Sequence, residues 1–243
     1  MRKPKGHTAV MADHAPDEVV GDTAQLRQFR RLEYFPTPPW AARAGAEIIT
    51  TLDPGYWTAE EPACGQGHCA HGLKDYFRTV ATADVFDHGW DGQDRVQDFL
   101  SNDRRGWAEA DWIITNPPFK SAADFVRLGL KRARRGVAIL ARQSLLESAG
   151  RYELFFGAET PMKAYAPFFE RVPMVLGRWD PKASTATAYA WFIWMRPELR
   201  HPGAAWPAIV KPIGPGAKAR LTKPDDARLF AHKGELSLLD GRL

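Results

Sequence analysis

The tetrapeptide Asn116-Pro117-Pro118-Phe119 concentrates more chemistry than any other stretch of the chain. Two consecutive prolines lock the backbone and remove two N–H donors. What remains is a pair of acceptors, the Asn116 side-chain oxygen and the Pro117 carbonyl. Facing one point, they suit a planar NH2 group with two protons to give. Phe119 adds an aromatic face for stacking. Lys120 follows directly, placed either to touch a phosphate or to face water. The plainer account of the same residues is a tight turn that carries an aromatic.

A second group is Glu61-Pro62-Ala63-Cys64-Gly65-Gln66-Gly67-His68. A glycine-rich turn between a strand and a helix lets backbone approach a ligand closely, with helix N-terminal N–H groups facing it. Alone, such a turn is as well explained by sterics. Asp84 lies 17 residues beyond Gly67, near the end of the next strand. From there a carboxylate can accept from ribose hydroxyls. Asp98 can accept from an exocyclic amine, and Phe99 can cover a purine. Either Asp serves equally well as a cap or turn residue. Cys64, His68, Cys69 and His71 do not have the spacing of common zinc ligands, so no metal site is expected.

These residues need a scaffold that brings several strand ends together. Thr37 followed by Pro38 predicts a helix start, with Ala41, Ala44, Gly45, Ile48 and Leu52 at helical spacing. Strands are predicted over Tyr56–Ala63, Thr79–Phe86, Arg95–Leu100, Asp111–Thr115 and Val137–Ala141. Ser121, with Asp124 three residues on, predicts a capping box for the helix that ends at Gly136. Leu145–Phe156 reads as another helix. Ala164–Val175 and Thr187–Met195 read as two late strands with no helix between them, hence an antiparallel pair. Strands alternating with helices predict an α/β fold with a doubly wound, mostly parallel seven-stranded sheet. Residues 1–30 read as a flexible arm, 31–196 as the catalytic domain, and 197–243 as a basic tail rich in Pro and Gly.

Composition narrows the class. With 33 Lys and Arg against 29 Asp and Glu, the net charge is +4, which permits a nucleic-acid partner without demanding one. Two Cys exclude a disulfide scaffold. The longest apolar run, around Ala188–Met195, falls far short of the ~20 residues of a membrane span. Met1–Gly6 is basic, but no apolar signal core follows it, so a cytoplasmic location is expected.

Taken together the motifs resemble those of amino-group methyltransferases that use S-adenosylmethionine (AdoMet), whose fold is Rossmann-like. Asn116–Phe119 after the fourth strand is similar to their catalytic motif. Glu61, Pro62, Ala63, Cys64, Gly65 and Gly67 resemble the cofactor loop, Asp84 the ribose-binding acid, and Asp98-Phe99 the adenine-binding pair. Tyr34-Phe35-Pro36-Thr37-Pro38 looks like the motif that holds the methionine end of the cofactor in DNA methyltransferases. With the cofactor half first, the order is that of DNA adenine-N6 enzymes. The matching motifs run from Tyr34 to Phe119.

The resemblance implies AdoMet as cofactor and DNA as partner. It implies methyl transfer to a base flipped out of the helix, with Asn116 and Pro117 as acceptors that favour a tetrahedral nitrogen. Phe119, Lys120 and Phe169 are the candidate substrate contacts. Cytosine N4 of DNA, RNA adenine N6 and a protein glutamine amide present the same NH2 chemistry, though Tyr34–Pro38 argues against RNA. A nucleic-acid-binding module without activity is a reading of a different class. Sequence-specific relatives carry a sizeable recognition region, whereas only 48 residues follow Met195. Lys211, Lys218, Arg220, Lys223, Arg228 and Lys233 in that tail either track phosphates or face water. A second copy of the chain or a separate specificity partner is the alternative source of recognition.

Overall fold

The computed structural model describes residues 23–101, 103, 105–107, 109–157, 161–199 and 208–230. Residues 1–22 of the expected arm, and 200–207 and 231–243 of the expected tail, Lys233 among them, lie outside the described residues.

Eight strands form one sheet: β1 (Thr58–Glu61), β2 (Thr79–Asp84), β3 (Arg95–Val96), β4 (Trp112–Thr115), β5 (Gly136–Arg142), β6 (Met162–Pro167), β7 (Tyr189–Met195) and β8 (Ile209–Val210). Their order is β3-β2-β1-β4-β5-β7-β6-β8. From β3 to β5 all pairings are parallel. β7 then runs antiparallel to both β5 and β6, as the missing helix between the late strands requires. The eighth strand is an addition to the expected seven: Ile209 and Val210 pair in parallel with Ala164 and Tyr165.

Helices cover both faces: α1 (Ala24–Leu32), α2 (Pro39–Leu52), α3 (His68–Leu73), α4 (Ala122–Arg132), α5 (Tyr152–Phe156), α6 (Ala217–Leu221) and α7 (Pro224–Phe230). The core accordingly has two halves. Trp40, Ile49, Leu73 and Phe77 pack under α2 and α3, while Phe125, Val126, Leu130 and Phe155 pack under α4 and α5. β7 serves both, its side chains alternating across the sheet. Trp191, Ile193 and Met195 face the first half; Phe192 and Trp194 face the second.

Several predicted boundaries shift for identifiable reasons. α2 begins at Pro39, which makes Pro38 its N-cap and leaves Thr37 one residue outside, with no side-chain cap. A 3-10 turn over Phe119–Ser121 runs straight into α4, so Ser121 is near-helical (φ −100°, ψ 0°) and its hydroxyl makes no capping bond. The predicted helix 145–156 breaks at the extended Ser148 into two 3-10 turns and the short α5.

Part of the expected tail is tied to the body. Arg43, buried in α2, donates to both carboxylate oxygens of buried Asp226 in α7, at 2.6 and 2.7 Å. It also donates to Asp75 at 2.6 Å and to the Leu221 carbonyl at 2.8 Å. Three tail cations are spent on the body as well, Arg220 on Glu47, Lys223 on Asp75 and Lys218 on the Pro181 carbonyl.

This topology fixes where a ligand can lie. β1 continues through α3 to β2 on one side, while its other neighbour, β4, comes later in the chain. A crevice opens outside the carboxyl ends of the strands at such a switch point. The ends of β1, β2 and β4 carry Glu61, Asp84 and Asn116.

Candidate functional site

Asn116 leaves the end of β4 half-buried, with its amide oriented by the chain that enters α2. Its Nδ2 donates to the Phe35 carbonyl at 2.9 Å. Its Oδ1 is buried and has no hydrogen-bond partner. An unpaired buried acceptor costs ~1–3 kcal/mol, so this oxygen is held in place at the expense of stability. Asn116 is a wall residue of a cavity of about 360 Å³.

The glycine loop borders the same cavity. Gly65 and Gly67 have φ of +51° and +82°, conformations that side chains rarely adopt. A Cβ at Gly65 would sit 2.3 Å from the Tyr34 ring, and one at Gly67 2.3 Å from Trp90. Tyr34 is thus pressed onto the loop. Its hydroxyl accepts from the Gln66 N–H at 3.2 Å and donates to Gln66 Oε1 at 3.3 Å. Burial pushes the Tyr34 phenol up, well above its ordinary value, so it stays protonated.

Two carboxylates belong to this region. Asp84 Oδ2 accepts from the Gly65 N–H at 2.9 Å and Oδ1 from the Phe86 N–H at 3.0 Å, with His88 Nε2 3.5 Å away. Asp84 therefore braces the loop and keeps one further lone pair per oxygen for a ligand. Glu61 is 1% exposed, and its Oε2 has no partner. Burial drives its carboxyl well above the usual range, against hydrogen bonds from the Cys69 thiol and the Ala70 N–H. Burial also raises the Cys64 and Cys69 thiols, which leaves neither as a thiolate nucleophile.

The cavity wall gathers Tyr34, Thr37, Glu61, Pro62, Ala63, Cys64, Asp84, Asp98, Phe99, Asn116, Pro118 and Lys120. Pro38, Gly65, Gly67 and Pro117 are neighbours of wall residues in the chain but do not line the cavity themselves. Asp98 is exposed and its Oδ1 accepts from the Leu100 N–H at 2.9 Å, a local turn contact. Phe99 is 1% exposed, stacked on Phe125 at 4.9 Å and capped by the Arg132 guanidinium at 4.6 Å. Phe119 belongs to an adjoining cavity with Phe35, Lys120 and Arg142. Phe169 is not on either wall: it is 67% exposed, because strand alternation turns its neighbour Phe168 inward against Trp40.

Other wall residues have no expected counterpart in the sequence reading. Val85, exposed directly after Asp84, lines the cavity; an apolar residue following a strand-end acid was a usable signal. His68 and His88 line it too. His68 stacks on Phe230 at 4.2 Å, and burial lowers its pKa to about 3, so it is neutral. Glu33 was invisible in the sequence. Among the described residues it is the one non-glycine with positive φ, 51°, and its Oε2 accepts from the Lys120 N–H at 3.3 Å. No cluster of three or more metal-ligating side chains occurs among the described residues. No helix among them is long and apolar enough to cross a membrane.

No protein-family model matches the chain, and no curated protein matches it in sequence. Solved structures do. A candidate RNA methyltransferase from Pyrococcus horikoshii superposes with a TM-score of 0.52 at 14% identity, covering 68% of this chain and 87% of that one. The methyltransferase subunit of a type I restriction–modification system from Streptococcus thermophilus gives 0.49 at 15% identity, covering 67% of this chain and 44% of that one. A modification subunit of a candidate type I restriction enzyme from Vibrio vulnificus gives 0.49 at 15%, covering 90% and 56%. The chain thus spans about half the length of these two subunits. The similarity to the archaeal structure establishes the fold: a Rossmann-like α/β sheet of the methyltransferase type, with antiparallel strands at one side.

Proposed function

We propose that this protein is an AdoMet-dependent methyltransferase acting on the exocyclic amino group of a base in DNA, adenine N6 foremost. The observation that carries the reading is the amide of Asn116, a residue of the cavity wall, pinned through Nδ2 and left with a buried, unpaired Oδ1.

The residues present fit the cofactor. Asn116 and Glu61 both line the cavity, and each has a buried oxygen without a partner: Asn116 Oδ1 is an acceptor as it stands, and Glu61 Oε2 becomes one when its carboxyl ionises. They suit a ligand with positive charge and N–H groups to donate, and AdoMet carries both a sulfonium and an ammonium. Tyr34, Thr37 and Glu61 would hold its amino-acid end. Asp84 would take the ribose, and Asp98, Phe99 and Val85 the adenine. When bound, it supplies an activated methyl group.

The chain's own residues would then prepare the acceptor nitrogen. An aromatic amine is a poor nucleophile because its lone pair is delocalised into the ring. Asn116 Oδ1 and the Pro117 carbonyl accept its two hydrogens and draw it towards a tetrahedral geometry, which frees the lone pair. Both interactions strengthen as positive charge grows on nitrogen, the condition for lowering the barrier rather than only binding substrate. The Phe35 carbonyl keeps the Asn116 amide from rotating, so its oxygen needs no reorganisation.

Incubating the protein with labelled AdoMet and separate DNA, RNA and protein pools, followed by mass spectrometry of the modified product, tests this reading. N6-methyladenine in DNA is the expected product. N4-methylcytosine would keep the mechanism and change the base. Label confined to protein or RNA would overturn the substrate class.

A further inference from the structure

Arg142 ends β5, beside the Asn116–Phe119 turn that ends β4. Its guanidinium lies 4.0 Å from the centroid of the Phe119 ring. Phe119 in turn contacts Phe35, with ring centroids 5.5 Å apart. Phe35, Phe119 and Arg142, with Arg30, Glu33, Lys120 and Leu176, line an open cavity of about 490 Å³. Glu33, Phe35 and Lys120 line the cofactor cavity too, so the two spaces share a wall.

We propose that Arg142 is a positioning residue that holds the stacking face of Phe119 and yields it to an incoming base. This rests on the reading above, in which that base is the substrate. The magnitudes permit the exchange. A cation over an exposed aromatic ring changes an equilibrium about two- to fivefold. A stacked base is worth roughly five- to 150-fold. A planar base therefore displaces the guanidinium, which is exposed and on a long stem free to meet the phosphate flanking that base. The face of Phe119 is kept from collapsing onto its neighbours until then.

The role predicts effects of opposite sign on a neutral nucleoside and on a charged strand, which a purely structural residue would not give. The probes are 2-aminopurine deoxyriboside, whose fluorescence is quenched on stacking, and a short oligothymidylate. S-adenosylhomocysteine is kept saturating to fill the cofactor cavity. Arg142→Ala is expected to raise nucleoside association about two- to fivefold. It is expected to weaken the oligonucleotide, with a log–log salt slope shallower by about 0.7. Arg142→Lys should keep the slope, and Phe119→Ala should abolish the quench. Probes that move together in Arg142→Ala, or do not move, overturn the role. If the wild type still methylates DNA in that case, Arg142 alone is misassigned. If it methylates no nucleic acid, the underlying reading falls and this role with it.

Discussion

The Asn116 amide donates to the Phe35 carbonyl at 2.9 Å, joining the end of β4 to the segment that enters α2. An amide that commits its nitrogen also commits the direction of its oxygen. The consequence is an acceptor that is rigid before any ligand arrives.

Asn116→Ala is expected to lower single-turnover methyl transfer by at least about 10²–10³-fold, the usual cost of losing one aimed polar group in a transition state. AdoMet affinity by calorimetry should stay within about tenfold. Thermal stability should change little, because removing the unsatisfied buried oxygen offsets the loss of the bond to the Phe35 carbonyl. Full turnover in this variant would end the catalytic assignment.

Gly65→Ala is expected to cripple cofactor binding. The left-handed backbone costs ~1–2 kcal/mol for a residue with a Cβ, and the new methyl would lie 2.3 Å from the Tyr34 ring. A dissociation constant raised at least about tenfold follows, read by calorimetry. Unchanged affinity would mean that Tyr34 moves freely and does not fix the loop.

Burial raises the Glu61 carboxyl well above its ordinary value, with Asp84 adding to the rise and Lys74 opposing it. A cationic ligand favours the ionised form. AdoMet binding should therefore release a proton, and affinity should strengthen as pH rises through the raised pKa. Calorimetry in buffers of different ionisation enthalpy measures the proton, and Glu61→Gln should remove it. Binding without proton release at neutral pH would contradict the role given to Glu61.

Asp226→Asn should destabilise the fold by about 3 kcal/mol, since it leaves buried Arg43 partly unpaired. Burial acts to raise the Asp226 carboxyl, but hydrogen bonds from Arg43, His71 and the Lys223 N–H outweigh it and hold it below its ordinary 3.8. The stability it contributes is complete above that value and is lost as pH falls further. Urea unfolding of both proteins at neutral and acidic pH tests this. Equal midpoints at neutral pH would show that α7 is not anchored.

The sequence was legible where a local rule has one outcome. The unbroken apolar run of Tyr189–Met195, the prolines after Asn116 and the glycines at 65 and 67 each admit few backbones, and they marked a buried strand and the residues around one cavity. It was illegible where contacts are long-range. Asp226 meets Arg43 across 183 residues, and nothing near either residue marks the pair, so residues 208–230 read as a tail. Thr37 looked like a cap because the rule sees one proline, while Pro39 moved the helix start by a residue. Phe169 lines neither cavity, and which member of the 168–169 aromatic pair faces the core is decided by strand register alone. Glu33 carries no sequence signature, since it closes α1 as a left-handed C-cap, a place where glycine or asparagine is the usual signal.

Gly45 lies over the indole of Trp191, where an added Cβ would come within 2.4 Å, and Trp191 Nε1 donates to the Ala41 carbonyl at 2.9 Å. α2 is a rod of 14 residues seated on that ring, with Thr37 just ahead of its leading end. A side chain at position 45 would tip the rod and deliver the displacement to the far mouth of the cleft. The placing of Thr37 on the cavity wall is thus expected to depend on the absence of a side chain at position 45, deep in the core.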